Sequence, residues 1–261
     1  MWRKVLFLFV FSALAVAAAG STVAWASQPA IELDGRYWIT NINGNVNVPD
    51  SGLAVGKTDI DLKSDLGVRD KNVPDLRLIW HTGENSWLRL SYTKLDYSGD
   101  NTLSETIQFR GKTYNANSRV LSSLNVTYLS LGWAWQFIHF ADESVRLGTL
   151  ISARGFWTKA SLNDPEFNVN EEKSIAFGLP TIGATADINP ISMLDIFGEF
   201  SWMTAGKYGH LYDTEAGVKI IPIRYVSIEG GYRIFDVTAK DDPDYATLKI
   251  EGPFVGGTLR F

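Results

Sequence analysis

The sequence predicts an all-β protein, a transmembrane up-and-down antiparallel β-barrel of ten strands. Three observations lead there. Apolar and polar residues alternate with period 2 along nearly the whole chain, and no long stretch shows the 3.6-residue spacing of an amphipathic helix. The connections between alternating segments are of two kinds, tight at one end and long at the other. Aromatic usage is heavy, with Trp38, Trp80, Trp87, Trp133, Trp135, Trp157 and Trp202 downstream of the leader, as at the water interfaces of a membrane barrel.

The leader fixes the compartment. Trp2, Arg3 and Lys4 form a basic start, Val5 to Ala19 is apolar except for Ser12, and Ala24-Trp25-Ala26 offers the small-x-small pattern of a signal peptidase site. Residues 1–26 therefore read as a cleaved signal peptide and 27–261 as a single barrel domain. The apolar run is short of the roughly 20 residues of a spanning helix. Removing Arg3 and Lys4 takes the formal charge from −5 to −7, which argues against a nucleic-acid partner because phosphate binding needs a basic face. The chain has no cysteine, which excludes disulfides, thiol catalysis and thiolate metal sites.

Strands are expected at 30–40, 74–82, 87–97, 119–137, 145–159, 174–188, 193–204, 211–221, 225–237 and 246–261. In the first, Ile31, Leu33, Tyr37 and Ile39 share one face and Glu32, Asp34 and Arg36 the other. Leu76, Leu78 and Trp80 oppose Arg77 and His81, and Leu88, Leu90 and Tyr92 oppose Arg89, Ser91 and Thr93. Leu129, Leu131, Trp133, Trp135 and Phe137 oppose Tyr128, Ser130, Gly132, Ala134 and Gln136. The second half repeats the scheme, with Arg146, Arg154, Asp195, Glu199, Asp213, Glu215, Lys219, Glu229 and Arg233 on polar faces. Two segments break parity. Phe177 and Leu179 lie opposite Ile182 and Ile188 around Pro180, and Leu248 and Ile250 lie opposite Val255, Leu259 and Phe261. A bulge is expected in the first and a register change at Gly252-Pro253 in the second. Eight strands is the alternative count, should 174–188 and its neighbour be misassigned.

Tight connections fall at Thr82 to Ser86, His139 to Ser144, Asn189 to Ser192 and Ile221 to Arg224. Long, polar ones fall at Asn41 to Asn72, Ser98 to Ser118, Ala160 to Lys173 and Asp236 to Tyr245, with Ala205 to His210 as the short member. Short periplasmic turns and long extracellular loops are the arrangement of outer-membrane barrels, and a soluble barrel would lack it. Several strands exceed the 9 to 11 residues that cross a bilayer, so they should project beyond it. Within the second long connection, a small hairpin is expected around Arg110-Gly111.

The chain ends on "GPFVGGTLRF", in which Gly256, Leu259 and Phe261 resemble the C-terminal assembly signal of Gram-negative outer-membrane proteins. In pattern the chain resembles the small barrels of the outer-membrane protein A and X type. That resemblance implies localisation in the Gram-negative outer membrane, contact with outer-membrane lipids and lipopolysaccharide, recognition by the barrel-assembly machinery, and a monomer.

For function, the polar faces place Glu32, Asp34, Arg36, Arg77, Arg89, Arg146, Arg154, Asp195, Glu199, Glu215, Lys219, Glu229 and Arg233 in the lumen. Their charges are nearly balanced, and a buried ion demands a partner, so a plugged or narrow lumen is expected. The reading is an envelope component or narrow solute channel, with an extracellular binding surface as the alternative. An enzyme, whether a lipid A modifier or a protease, is disfavoured because histidine is scarce. His81 and His139 lie at the turn end, and His210 and Asp213 point to opposite faces of one strand. No cofactor is expected. The acidic trio Asp59, Asp61 and Asp65 in "IDLKSDLGV" lacks metal-loop spacing and reads as a solvated loop with a fixed conformation.

Overall fold

A computed structural model of the chain describes residues 30–47, 57–109, 112–141, 144–167 and 169–261. The proposed signal peptide lies outside the described residues. Fourteen strands follow one another: β1 (Ile31–Ile39), β2 (Asn41–Asn47), β3 (Asp59–Asp61), β4 (Asn72–Gly83), β5 (Ser86–Thr102), β6 (Ile107–Phe109), β7 (Lys112–Tyr114), β8 (Arg119–Phe140), β9 (Val145–Asp164), β10 (Val169–Ile191), β11 (Leu194–Thr204), β12 (Gly209–Ile223), β13 (Val226–Asp241) and β14 (Asp244–Arg260).

Neighbours in sequence pair antiparallel around the sheet, and β14 returns to pair with β1, from Trp38 opposite Phe254 to Glu32 opposite Arg260. β2 continues along β14 in the same register, so β1 and β2 are one wall strand. The result is a closed barrel of ten wall strands, the higher of the two counts expected. Closure removes both sheet edges, which is how a β-structure satisfies its backbone in lipid. The outer surface carries Leu33, Tyr37, Leu78, Leu90, Ile151, Phe200, Ile228, Tyr232, Val255 and Leu259, all exposed, whereas Glu32, Asp34, Arg36, Arg77 and Glu229 are buried inside. This inversion of a soluble core is what hydrocarbon outside and polar groups inside require.

Neither expected irregularity exists. β9 and β10 pair without a shift from Asp164 opposite Val169 to Val145 opposite Ile188, and β13 and β14 are equally regular. Phe177, Leu179, Leu248 and Ile250 face inward and pack on an internal apolar cluster. Along these segments of β10 and β14 parity is constant; what changes with height is the chemistry of the interior, which is charged near the tight turns and apolar near the long loops.

The connections also differ in part from expectation. All four tight turns are present, at the β4–β5, β8–β9, β10–β11 and β12–β13 junctions. At the other end Ala160 to Lys173 and Asp236 to Tyr245 are mostly strand, since β9 and β10 run on to Asp164 and Val169, and β13 and β14 to Asp241 and Asp244. Alternation there was masked by the dense acidic residues. The long connections after β2 and β5 remain. The second contains the expected hairpin, with β6 and β7 paired from Ile107 opposite Tyr114 to Phe109 opposite Lys112; Arg110-Gly111 lies outside the described residues.

Candidate lumenal binding site

The barrel interior is built in four layers. At the turn end lies an ionic floor. Arg77 forks onto Glu215 with two hydrogen bonds of 2.7 Å and also donates to Asp75 at 3.0 Å. Arg36 bridges Asp34 at 2.8 Å and Glu215 at 3.1 Å, and contacts Glu229. Arg89 forks onto Glu199 at 2.7 and 2.5 Å. Arg233 donates two bonds of 2.9 Å to Asp213, and Arg154 adds a third at 2.5 Å. Nearer the turns, Glu32 accepts from Arg260 at 3.0 Å and lies 3.6 Å from Lys219. Paired bonds from planar guanidinium groups hold these charges in place across the lumen, far apart in sequence.

All thirteen lumen residues expected from the sequence meet an opposite charge or stand directly across the ladder from one; Asp195 faces Lys219, and Arg146 faces Asp187 while donating to Asn189 at 2.9 Å. Glu199 pairs across the barrel with Arg89 although its ladder partner is Glu215. The expected lumen set omits Asp75, Asp187 and Arg260, and also Asp213, which the sequence puts on a polar face without carrying it into that set. Each has the inward parity of its strand, so following the alternation to the ends of the expected strands 74–82 and 246–261 finds Asp75 and Arg260. Within the floor, Ser91, Ser130, Gly132, Ser152 and Ser201 leave a polar cavity of about 20 Å³ beside Arg89 and Glu199, room for about one water.

Above the floor, aromatic rings receive the guanidinium faces. Arg36 lies 4.5 Å from the ring centre of Phe254, Arg233 4.8 Å from Trp38, and Arg154 5.9 Å from Tyr128. Such cation–π contacts let a desolvated cation border an apolar space. Tyr128, Phe156, Phe177 and Phe235 then form a connected aromatic cluster, with centroids 5.1 Å apart for Tyr128–Phe156 and 4.9 Å for Phe156–Phe177.

The third layer is a chamber of about 260 Å³, lined by Leu95, Val126, Phe156, Phe177, Phe235 and Leu248 among others. β3 and the segment after it close its wall between β2 and β5, setting Ile60, Leu62, Leu66 and Val68 inward. It is stitched in place by Leu62 N donating to Gly44 O at 2.9 Å, Arg69 N to Ser98 O at 3.3 Å, and Asn101 Nδ2 to Ser64 O at 2.9 Å. The acidic trio serves this loop. Asp61 Oδ1 accepts from the backbone of Lys63 at 2.8 Å and of Ser64 at 2.6 Å, and Asp65 accepts from Asp61 N at 2.8 Å and pairs with Lys57 at 2.9 Å. The carboxylates of Asp65 and Glu105 hold the Lys57 ammonium above its ordinary pKa. Among the described residues no group of three metal-ligating side chains comes together.

The fourth layer is a cap. Leu103, Ile107, Phe109 and Tyr114 from the β6–β7 segment pack with Ile60, Val120 and Leu162, and Tyr114 Oη donates to Leu162 O at 3.2 Å. Burial, helped by the charges of Glu171 and Asp164, pushes the Tyr114 phenol up to about 12.

The remaining candidates fall outside this interior. His210 stacks on Tyr212 with centroids 6.2 Å apart and lies 3.8 Å from Asp236, on the outer face, so it does not meet Asp213. At the C-terminus, Phe261 N donates to Ile31 O at 2.8 Å and its exposed ring points outward, 69% accessible. Leu259 is likewise exposed on the outer face. Gly256 faces inward at the seam, where a Cβ would meet Arg36 Cγ at 2.8 Å; glycine makes room for the floor.

No protein-family description matches the chain, and no curated protein matches its sequence. Solved structures do. The chain is similar to the outer membrane protease OmpT from Escherichia coli, at 10% identity and a TM-score of 0.54, covering 92% of this chain and 99% of that one. It also matches the translocator domain of the autotransporter NalP from Neisseria meningitidis (11% identity, 89% of each chain, TM-score 0.45) and the attachment invasion locus protein Ail of Yersinia pestis (12% identity, 90% and 99%, TM-score 0.40). At such identities the first of these establishes the fold, that of an outer-membrane β-barrel.

Proposed function

We propose that this outer-membrane barrel is a non-enzymatic, non-conducting binding vessel that takes an apolar ligand into the outer half of its lumen. The observation that carries this reading is the pairing of an apolar chamber with a floor of mutually bonded charges beneath it. A solute path would have to cross Arg77, Glu215, Arg36 and Arg233, whose separation would leave buried ions unpaired. A chamber lined this way stays dry and favours apolar occupants, each buried methylene contributing about 0.8 kcal/mol. Its volume of about 260 Å³ is near the lower end of small-ligand sites, roughly 300 Å³. Residence in the Gram-negative outer membrane after signal cleavage, monomeric, with barrel assembly directed by the terminal Phe261, completes the reading.

The test is native mass spectrometry of the refolded mature barrel, released from a cholate-type detergent that has no linear tail and mixed with dodecanol. One dodecanol per barrel, lost in a chamber-filling Val126→Trp variant, supports the proposal. A folded barrel that retains none would overturn it, as would discrete, selective conductance steps in a planar bilayer.

A further inference from the structure

The wall of the chamber is uneven. β8, β9 and β10 rise well beyond the outer apolar belt, whereas the β11–β12 connection turns back at Thr204 and Gly209 through a single 3-10 turn, Gly206–Tyr208. Before Ile182, β10 pairs only with β9, so its free edge stands above that turn. Ile175, on this edge, lines the chamber and is nevertheless 45% exposed, while Phe156 on the adjacent strand is 3% exposed. Val237 and Ala239 of β13 line the chamber across from it. The step in the wall is therefore a side opening.

Its height is set by the outer surface. Trp157 faces outward and pairs with Ala176, next to Ile175, and Trp202 pairs with Tyr212 directly below the short turn. Exposed aromatic rings at strand ends mark the membrane–water interface. The opening thus lies at the level where lipid headgroups meet acyl chains. Lys173, two residues up the same inward face, also lines the chamber. Among the described residues no ion pair to Lys173 is formed; Glu172, on the opposite face, pairs with Lys159 at 2.9 Å, and Glu171 lies two residues further along the same inward face.

We propose that the chamber receives the single acyl chain of an anionic amphiphile from the outer leaflet, entering sideways over the β11–β12 turn, with its headgroup held at the rim by Lys173. This rests on the apolar-vessel reading and specifies its ligand and route. The apolar lining selects the chain, the ionic floor sets how deep it reaches, and the Lys173 ammonium at the rim selects the sign of the head.

The experiment uses the full mature barrel in cholate-type detergent with saturated carboxylates of increasing length, their methyl esters, and dodecanol, read by native mass spectrometry. Each added methylene should strengthen binding about fourfold until the chamber is full, after which the gain stops. The carboxylate should outbind its ester about tenfold, and Lys173→Gln should abolish that preference. In vesicles doped with the carboxylate, Ile175→Trp and Ala239→Trp at the opening should slow uptake by tenfold or more, whereas Thr113→Trp on the cap should not. Folding of each variant is checked by the mobility shift of the unheated barrel on gels. Dodecanol binding with no preference for the carboxylate, or uptake slowed by the cap variant alone, overturns this proposal and leaves the vessel standing. Absence of any apolar adduct overturns both.

Discussion

Glu215 is the hub of the floor, and removing its charge should be the most damaging single change there. It is 6% exposed, accepts two bonds of 2.7 Å from Arg77 and one of 3.1 Å from Arg36, and lies 4.0 Å from Arg233. Glu215→Gln keeps the shape and one acceptor oxygen but turns an amide N–H₂ toward a guanidinium. Three cations then share Asp34, Asp75, Asp213 and Glu229 alone. Breaking a buried pair by removing one partner costs roughly 3–5 kcal/mol, most of it the penalty of the stranded cation. Because Gln is isosteric, a loss of about 3 kcal/mol is expected, a factor on the order of a hundred in the unfolding equilibrium. Urea unfolding of the refolded barrel in detergent, followed by tryptophan fluorescence, reads it. Glu199→Gln is the internal control, since among the described residues Glu199 bonds Arg89 alone, and that pair is more accessible; its loss should be clearly smaller. A Glu215→Gln loss under about 1 kcal/mol, or one no larger than that of Glu199→Gln, would refute the claim that these charges form one interdependent plug.

Other consequences follow from the same geometry. Leu131→Arg on the lipid face should impair assembly by about 2–4 kcal/mol near the midplane, while Ser130→Arg, pointing into the lumen, should be milder unless it overfills the space; equal tolerance in refolding yields would contradict the register. The intact barrel should be silent in a planar bilayer, and Arg89→Ser with Glu199→Ser, which enlarges the polar cavity beside Ser91 and Ser201, should produce conductance steps. The cap should loosen in strong alkali. The Tyr114 pKa is raised in the fold, so the neutral phenol's contribution is intact below its unfolded value of about 10 and is lost as pH climbs through about 12. Protease cleavage in the β6–β7 segment should rise over that window in the intact protein and show no such step in Tyr114→Phe. Gly256→Val should disturb barrel closure, because its side chain would collide with Arg36 at the seam; unchanged heat-modifiability on gels would count against that packing.

Much of this was legible from period-2 alternation, because an extended strand shows its faces directly in sequence. Most of the floor's charges came from that rule, the strand number from the alternating segments counted between tight turns, and Phe261 at the closing seam from its resemblance to a C-terminal assembly signal. Lipid contact makes the outer face uniformly apolar, so outward parity is easily read. The inner face has no such uniformity, and assuming that it did produced the two expected bulges. Phe177, Leu179, Leu248 and Ile250, expected on the lipid face in a shifted register, are inward-facing residues of the internal apolar cluster.

Sequence by itself determined the fold class, the strand order and the inward face wherever that face is polar, since alternation is set by local backbone geometry. Only the tertiary structure decided how those inward residues sort by height. Which carboxylate meets which guanidinium depends on shear and closure, which bring Arg77 to Glu215 across 138 residues of chain. The same closure gathers Trp38, Phe156, Phe235 and Leu248 into one chamber and leaves the wall low above the β11–β12 turn. No local pattern encodes such meetings, because they arise from the sum of many strand registers around a ring.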